Sequence, residues 1–378
     1  MEEIAGWLRL TLHPGAGPAA QRALLAAFGL PDRIFTADHQ ALSRVVGASL
    51  ASSLLGAPDQ ARIDATLEWL TRPGNAILTL GDPAYPAALL DAPDPPVLLY
   101  VKGDVAVLEC AALAIVGARS ATPQGVANAD AFARVLASTG LTVVSGLALG
   151  IDAAAHRGAL AVQGKTIAVI GTGADRVYPA RNREIAHAIA EQGAIVSEFP
   201  LGAPPHAHHF PRRNRIIAGL CRGVLVVEAA VNSGSLITAR LANEAGREVF
   251  AIPGSIHSPL ARGCHRLIRE GAKLVETAED ILEELRWGQS AATPEATTRI
   301  RTGARHEHPD PPAARGASLR SLEDEEAKLL QEMGHDPVDI DTLAIRSGLT
   351  VEALYAILLA LELDGHVSRA AGGRFQRL

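Results

Sequence analysis

Between Ala111 and Leu285 the chain repeats one pattern. A short apolar run stops at glycine or a small polar residue, and a longer helix-forming stretch follows. Ala112–Val116 stops at Gly117, Leu141–Val144 at Ser145-Gly146, and Thr166–Ile170 at Gly171. Ala194–Ser197, Gly223–Val227 and Glu248–Ile252 continue the series, the last ending at Pro253-Gly254. Between the runs, helices are expected at Gly125–Thr139, Ile151–Gln163, Asn182–Gln192 and Ser235–Ala245, with Arg215–Leu220 inside another. Short runs that are apolar throughout read as strands buried on both faces, and the helices between them as crossovers. The expected class is α/β, with a doubly wound, mostly parallel sheet. Ligands of such sheets bind beyond the carboxyl ends of the strands. Here those ends carry Gly117, Ser145-Gly146, Gly171, Glu198 and Pro253-Gly254.

The flanks read differently. Residues 1–70 look helical, with a glycine-rich turn, Leu-His-Pro-Gly-Ala-Gly-Pro, inside Leu10–Leu30. That turn has the form of a helix-hairpin-helix, whose backbone N–H groups meet phosphate, or of a plain turn in a packed bundle. Residues 71–110 form a proline-rich connector with short extended pieces, whose prolines at 83, 86, 93, 95 and 96 exclude long helices. The central domain spans 111–286. Residues 287–320, rich in Ala, Thr, Pro, Gly and charge, read as a linker. In the final domain, 321–378, helices at Ser321–Met333, Asp339–Ser347 and Thr350–Asp364 precede a hairpin around Ala371-Gly372-Gly373. Three helices and a terminal hairpin make a winged helix.

Charge points to a polyanion. The chain carries a net charge of −6, yet Phe199–Val227 contains no acidic residue and four arginines, Arg212, Arg213, Arg215 and Arg222. Three of them sit beside an aromatic ring in Phe210-Pro-Arg-Arg-Asn-Arg215, a combination that suits single-stranded nucleic acid. The plainer alternative is an ion-paired surface loop. The acid excess lies elsewhere. Ser321–Leu378 holds 5 Lys/Arg against 11 Asp/Glu, whereas Ala111–Leu285 holds 17 against 15. The third helix of the final domain, normally the DNA-reading element, has Glu352, Glu362 and Asp364 and no basic residue, so a protein contact is expected there.

Other features bound the chemistry. The three cysteines are far apart, without a Cys-x-x-Cys pair, so neither a disulfide framework nor a cysteine zinc site is expected. No apolar run is long enough for a membrane span, the start Met-Glu-Glu-Ile is not a signal peptide's, and the cytoplasm is the expected compartment. Gly117-Ala118-Arg119 follows a strand and could hold a phosphate, with Arg119 as the fixed charge. It lacks the Gly-x-Gly-x-x-Gly pattern, so NAD is not expected, nor any other cofactor. Ser145-Gly146 opens a second glycine-rich turn, which ends at Asp152. Asp152 reads as a cap for the helix carrying His156, with a catalytic carboxylate as the alternative. Ser233-Gly234-Ser235 opens a later helix as a phosphate cradle or an ordinary N-cap. His206, His208 and His209 have no neighbouring carboxylate or cysteine and read as a solvated loop rather than a metal site. No nucleophile–base set, Walker lysine loop or Gly-x-Ser-x-Gly elbow is present, which favours a binding protein over an enzyme.

Together, Ala114-Ile-Val-Gly-Ala-Arg119, Ser145-Gly-Leu-Ala-Leu-Gly-Ile-Asp152, Tyr178-Pro179, Ser197-Glu-Phe-Pro200, Phe210–Arg215, Val227-Glu-Ala229, Ser233-Gly-Ser-Leu-Ile-Thr238 and Ile252-Pro-Gly254 resemble the DNA-processing protein A (DprA/Smf) family. The resemblance implies an extended Rossmann core between a sterile-alpha-motif-like helical domain and a winged helix. It implies a cytoplasmic homodimer, joined through the core, that binds and protects incoming single-stranded DNA in natural transformation and helps load a RecA-type recombinase. It marks Arg119 as the phosphate-binding arginine and Phe210, Arg212, Arg213 and Asn214 as the DNA surface. Lys165 is a further basic candidate. Gly117, Ser145, Gly146, Arg215, Ser233, Gly234 and Ser235 complete the expected DNA site. Alanine at 119, 212 and 213 together is expected to flatten the salt dependence of binding and spare the fold. Near the family's dimer contact the sequence departs from the pattern, with His265 where the family usually has Asn. The rival reading is a phosphoribohydrolase-like enzyme on a related core. The turn at Asn232–Thr238 lacks that group's glutamate.

Overall fold

The computed structural model describes residues 2–287, 324–334, 337–370 and 372–378. The chain divides into two compact units, Met1–Ile281 and Leu282–Leu378. Apart from Trp287, the expected linker lies outside the described residues.

The first unit opens with six helices, α1 (Glu2–Thr11), α2 (Pro18–Phe28), α3 (Pro31–Thr36), α4 (His39–Val46), α5 (Ala48–Leu54) and α6 (Gln60–Leu70). Leu10, Leu24, Ile34, Leu42 and Leu54 form a core of their own. Trp7, Leu8, Ile63 and Trp69 instead pack on Tyr100 and Leu98 of the sheet. In the glycine-rich turn between α1 and α2, the Gln21 amide donates to the Ala16 carbonyl.

The sheet has nine strands. They are β1 (Asn75–Thr79), β2 (Leu98–Gly103), β3 (Ala112–Val116), β4 (Thr142–Ser145), β5 (Thr166–Val169), β6 (Ala194–Ser197), β7 (Gly223–Val226), β8 (Glu248–Ala251) and β9 (Lys273–Leu274). Their order is β1-β2-β6-β5-β4-β3-β7-β8-β9. The proline-rich segment after residue 71 thus supplies two strands, β1 and β2, which run antiparallel along one edge. From β6 to β9 all pairings are parallel. Every residue of β3, β4, β5, β6 and β7 is buried, as strands covered on both faces require.

A short α7 (Ala87–Leu90) precedes β2, and α8 (Pro123–Ser138), α9 (Ile151–Ala161) and α10 (Arg183–Gln192) connect β3 through β6. Then α11 (His209–Leu220) returns across the sheet, so that β7 starts on the other side of β3. The strand order therefore reverses between β3 and β7, where a crevice opens. Next come α12 (Gly234–Glu244), α13 (Arg262–Arg269) and α14 (Ala278–Glu284). Among the described residues no single helix is long and apolar enough to cross a membrane.

The second unit is a winged helix, with α15 (Asp324–Met333), α16 (Ile340–Ser347), α17 (Val351–Leu363) and the hairpin β10 (Val367–Ala370) and β11 (Arg374–Arg377). Asp339 and Thr350 cap α16 and α17 by accepting from the backbone N–H groups of Thr342 and Ala353. Leu329, Met333, Leu343, Leu354, Leu358, Leu361 and Phe375 make its core.

Candidate nucleic-acid interface

A cavity of 640 Å³ fills the crevice at the carboxyl ends of β3 and β7. Three segments converge on it, Val116–Ser120 at the end of β3, the first turns of α11, and Asn232–Ser235 at the start of α12, and Ala148 and Asp152 also line it.

The turn after β3 is tight because its glycine is enclosed. A Cβ on Gly117 would come within 2.6 Å of the Ile151 side chain and 2.9 Å of the Glu228 carbonyl. Its backbone is tied to the next crossover by the Ile151 N–H, which donates to the Ala118 carbonyl. Arg119 then projects into solvent. It makes no ion pair among the described residues, and its guanidinium lies 5.2 Å from the centroid of the Phe210 ring. Phe210 packs over Gly171, where a Cβ would meet the ring at 3.1 Å. Opposite, Ser233 caps α12 by accepting from the Ser235 N–H, and the two hydroxyls are 2.7 Å apart. Gly234 is exposed and its missing Cβ faces open space, so an anion can approach the helix start. No acidic residue occupies that first turn.

The arginine cluster is rearranged from its expected role. Phe210–Arg215 is not a loop but the first half of α11. Arg212 pairs with Glu198 at 2.8 Å. Arg215 pairs with Glu198 and Asp94 and donates to the Asp94 carbonyl. The acid-free stretch begins one residue after the carboxylate that neutralises two of its arginines. Arg213 is buried and donates to the Val169 carbonyl. Burial lowers its pKa to about 10, opposed by Asp152 and reinforced by Arg119. The expected triple alanine variant at 119, 212 and 213 would therefore disturb the interior as well as the surface. Asn214 is also buried, and its amide donates to the Gly234 carbonyl, joining α11 to the α12 turn.

Three other expected contacts are corrected. Ser145 is fully buried and its hydroxyl donates to the Ile115 carbonyl at 2.6 Å. Gly146 N–H donates to Asp152, and a Cβ there would lie 1.9 Å from an Arg213 nitrogen. Glycine at 146 makes room for a buried guanidinium rather than for a phosphate. Lys165 sits at the entering end of β5, across the sheet from the cavity, 3.7 Å from Asp104. Asp152 does not cap its helix: its carboxylate accepts from the Gly146 and Ala148 N–H groups and so holds the 146–150 loop. Burial pushes its pKa above the ordinary aspartate range, and Arg213 and the hydrogen bonds oppose this. Leu147 in that loop adopts φ 57°, its side chain buried.

Three contributors escaped the sequence reading: Glu228, Asn232 and Thr238. Glu228 accepts from the Thr122 N–H and hydroxyl and fixes the start of α8 beside Gly117, while burial raises its pKa. Asn232 and Thr238 line the cavity wall. Their positions inside quoted motifs were the available signal. Of the histidines, His209 is buried and stacked on Phe199 at 4.0 Å, and among the described residues no group of His, Cys, Asp or Glu has metal-binding geometry.

This geometry coincides with a family match. Residues 76–286 match the model described as DNA recombination-mediator protein A. The chain belongs to the DNA recombination-mediator protein A family. Residues 310–373 match that family's own DprA winged-helix domain. The Smf protein of Escherichia coli strain K12 is 42% identical over 317 residues, covering 82% of this chain and 80% of its own. The crystal structure of DNA processing protein A from Streptococcus pneumoniae superposes with a TM-score of 0.65 at 38% identity. That match covers 74% of this chain and 97% of the other. A second solved DNA processing protein A, from Helicobacter pylori and described for its single-stranded DNA binding mode, gives a TM-score of 0.51 at 32% identity. It covers 56% of this chain and 95% of the other.

Proposed function

We propose that this family member binds single-stranded DNA without catalysis, protects incoming DNA and helps load a RecA-type recombinase during natural transformation. One observation carries the reading: the switch-point cavity joins an exposed, unpaired Arg119, the Phe210 face and the open start of α12. Guanidinium and helix N–H groups suit phosphates, while the ring suits an unstacked base, which a duplex does not offer. The ionisable groups lining the cavity are Arg119, Asp152 and Arg213. Asp152 is already engaged by two backbone N–H groups, so it is a poor general base, and this disfavours the hydrolase reading.

The partner surfaces follow from exposed apolar groups. Val231, Ile256 and Leu274 are exposed at the β8–β9 end of the core, and a 630 Å³ hollow there is lined by His265, Ile268 and Leu274. We assign the homodimer contact to this patch. The winged helix presents Tyr355, Leu359 and Leu363 on α17 beside Glu352 and Glu362, which suits a protein partner better than duplex DNA.

The test is fluorescence anisotropy with labelled single- and double-stranded oligonucleotides of equal length, with and without a RecA-type recombinase. Single strands should bind more tightly, and binding should weaken with salt at a log–log slope of about −0.7 per phosphate contacted. Arg119→Ala should flatten that slope by about 0.7 and leave the fold intact. Equal affinity for both DNA forms, or release of free base from nucleoside monophosphates, would overturn the reading.

A further inference from the structure

The hexapeptide Phe210-Pro-Arg-Arg-Asn-Arg215 has an echo elsewhere in the chain. Tyr178-Pro-Ala-Arg-Asn-Arg183 matches it at four of six positions, with Tyr178 in place of Phe210 and Ala180 in place of Arg212. The two copies share their architecture. Each leads into a helix at the carboxyl edge of the sheet, the first within α11 and the second through a short 3-10 turn, Ala180–Asn182, into α10. In each the asparagine is buried and its amide holds a neighbouring loop. Asn214 donates to the Gly234 carbonyl, and Asn182 to the carbonyls of Leu147 and Ala148 at 2.9 and 3.1 Å. The two aromatic residues meet, with ring centroids 6.0 Å apart.

Their arginines differ. In the first copy Arg212 and Arg215 are neutralised by Glu198 and Arg213 is buried. In the second, Arg181 and Arg183 are exposed and make no ion pair among the described residues, as is also true of Arg176 just before it. Tyr178 is 47% exposed and is the one exposed Phe, Tyr or Trp side chain among the described residues of the first unit. Arg119, Phe210 and Tyr178 therefore form a continuous row of guanidinium, ring and ring.

We propose that the segment Arg176–Arg183 is a second strand-binding site, continuous with the cavity, in which Tyr178 stacks a base and Arg181 and Arg183 hold the adjoining phosphates. The inference rests on the single-stranded DNA reading above and extends the strand's path from the β3–β7 crevice toward β5. Aromatic faces interleaved with unpaired cations are the arrangement that binds single strands without regard to sequence. The first copy fixes the fold around the cavity, and the second supplies the free charge.

Anisotropy titrations of the full chain with labelled oligothymidylate at several salt concentrations test this. Tyr178→Ala should weaken binding about 5- to 150-fold without changing the salt slope, the range expected for one base stack. Tyr178→Phe should bind as the wild type does. Arg181→Ala with Arg183→Ala should flatten the slope by about 1.4, two phosphates' worth. Circular dichroism melts confirm that each variant is folded. If these folded variants bind like the wild type while Arg119→Ala is weakened, this site is wrong and the cavity reading stands. If the wild type fails to bind single strands, both fall.

Discussion

Asp152→Ala should destabilise the first unit by about 3–5 kcal/mol, the cost of leaving a buried charge without its counter-charge. Three consequences converge on one substitution. The Arg213 guanidinium stays buried, already depressed to about 10 by desolvation, and loses the carboxylate that offsets this. The Gly146 and Ala148 N–H groups lose their acceptor. The 146–150 loop, which packs against Asn182 and the start of α9, loses its internal tie. Urea unfolding followed by tryptophan fluorescence reads the effect, because Trp7 and Trp69 are buried against the same sheet. The midpoint should fall with an unchanged m-value. Asp152→Asn, which keeps an acceptor but not the charge, should fall between. A midpoint unmoved by either change would mean that Arg213 needs no counter-charge.

Acidification should destabilise the same core through His156. Its ring is fully buried, and Nδ1 lies 2.7 Å from the Thr166 hydroxyl. That hydroxyl donates to the Val143 carbonyl, so it accepts from Nδ1–H, and Nε2 carries the lone pair. Nε2 has no hydrogen-bond partner among the described residues. Burial, then Arg213 and Arg157, lower the pKa from 6.5 to about 3. A folded-state pKa below the unfolded value stabilises the fold above the unfolded pKa, and that stability is lost as pH falls. Between pH 6.5 and about 3 the loss should be about 1.4 kcal/mol per unit, on the order of 4 kcal/mol in all. Carboxylates titrate in the lower part of this range, so the measured quantity is the difference between wild type and His156→Gln. Parallel pH–stability curves would show that His156 does not titrate on unfolding.

Much of the fold was legible because buried parallel strands announce themselves as short continuous apolar runs. Ala112–Val116 and Ala194–Ser197 match β3 and β6 residue for residue. The helix at Ile151 was legible from its sequence, but the role of its acid was not. Asp152 looks like a cap by position and is instead the acceptor for a loop before it. The prolines of residues 83–96 concealed how β1 and β2 add to the sheet, because antiparallel edge pairing depends on a partner, β6, nearly a hundred residues later.

The site divides in the same way. Sequence by itself determined which residue types meet at the strand ends: Gly117 and Arg119 after β3, and Ser233-Gly234-Ser235 before α12. These are local, since a glycine at a strand end and a hydroxyl at a helix start act through their own backbone. It also determined where the excess acid lies. Only the tertiary structure decided which cations remain free. Glu198 reaches Arg212 and Arg215 across a loop, and Asp152 reaches the neighbourhood of Arg213 from another crossover. A charge's availability depends on what folds against it, and Coulomb interaction between residues far apart in the chain leaves no local pattern. Of the arginine run at 212–215 that stood out in the sequence, Arg212 and Arg215 are ion-paired to Glu198 and Arg213 is buried, while Arg119, Arg181 and Arg183 face solvent without an ion pair among the described residues.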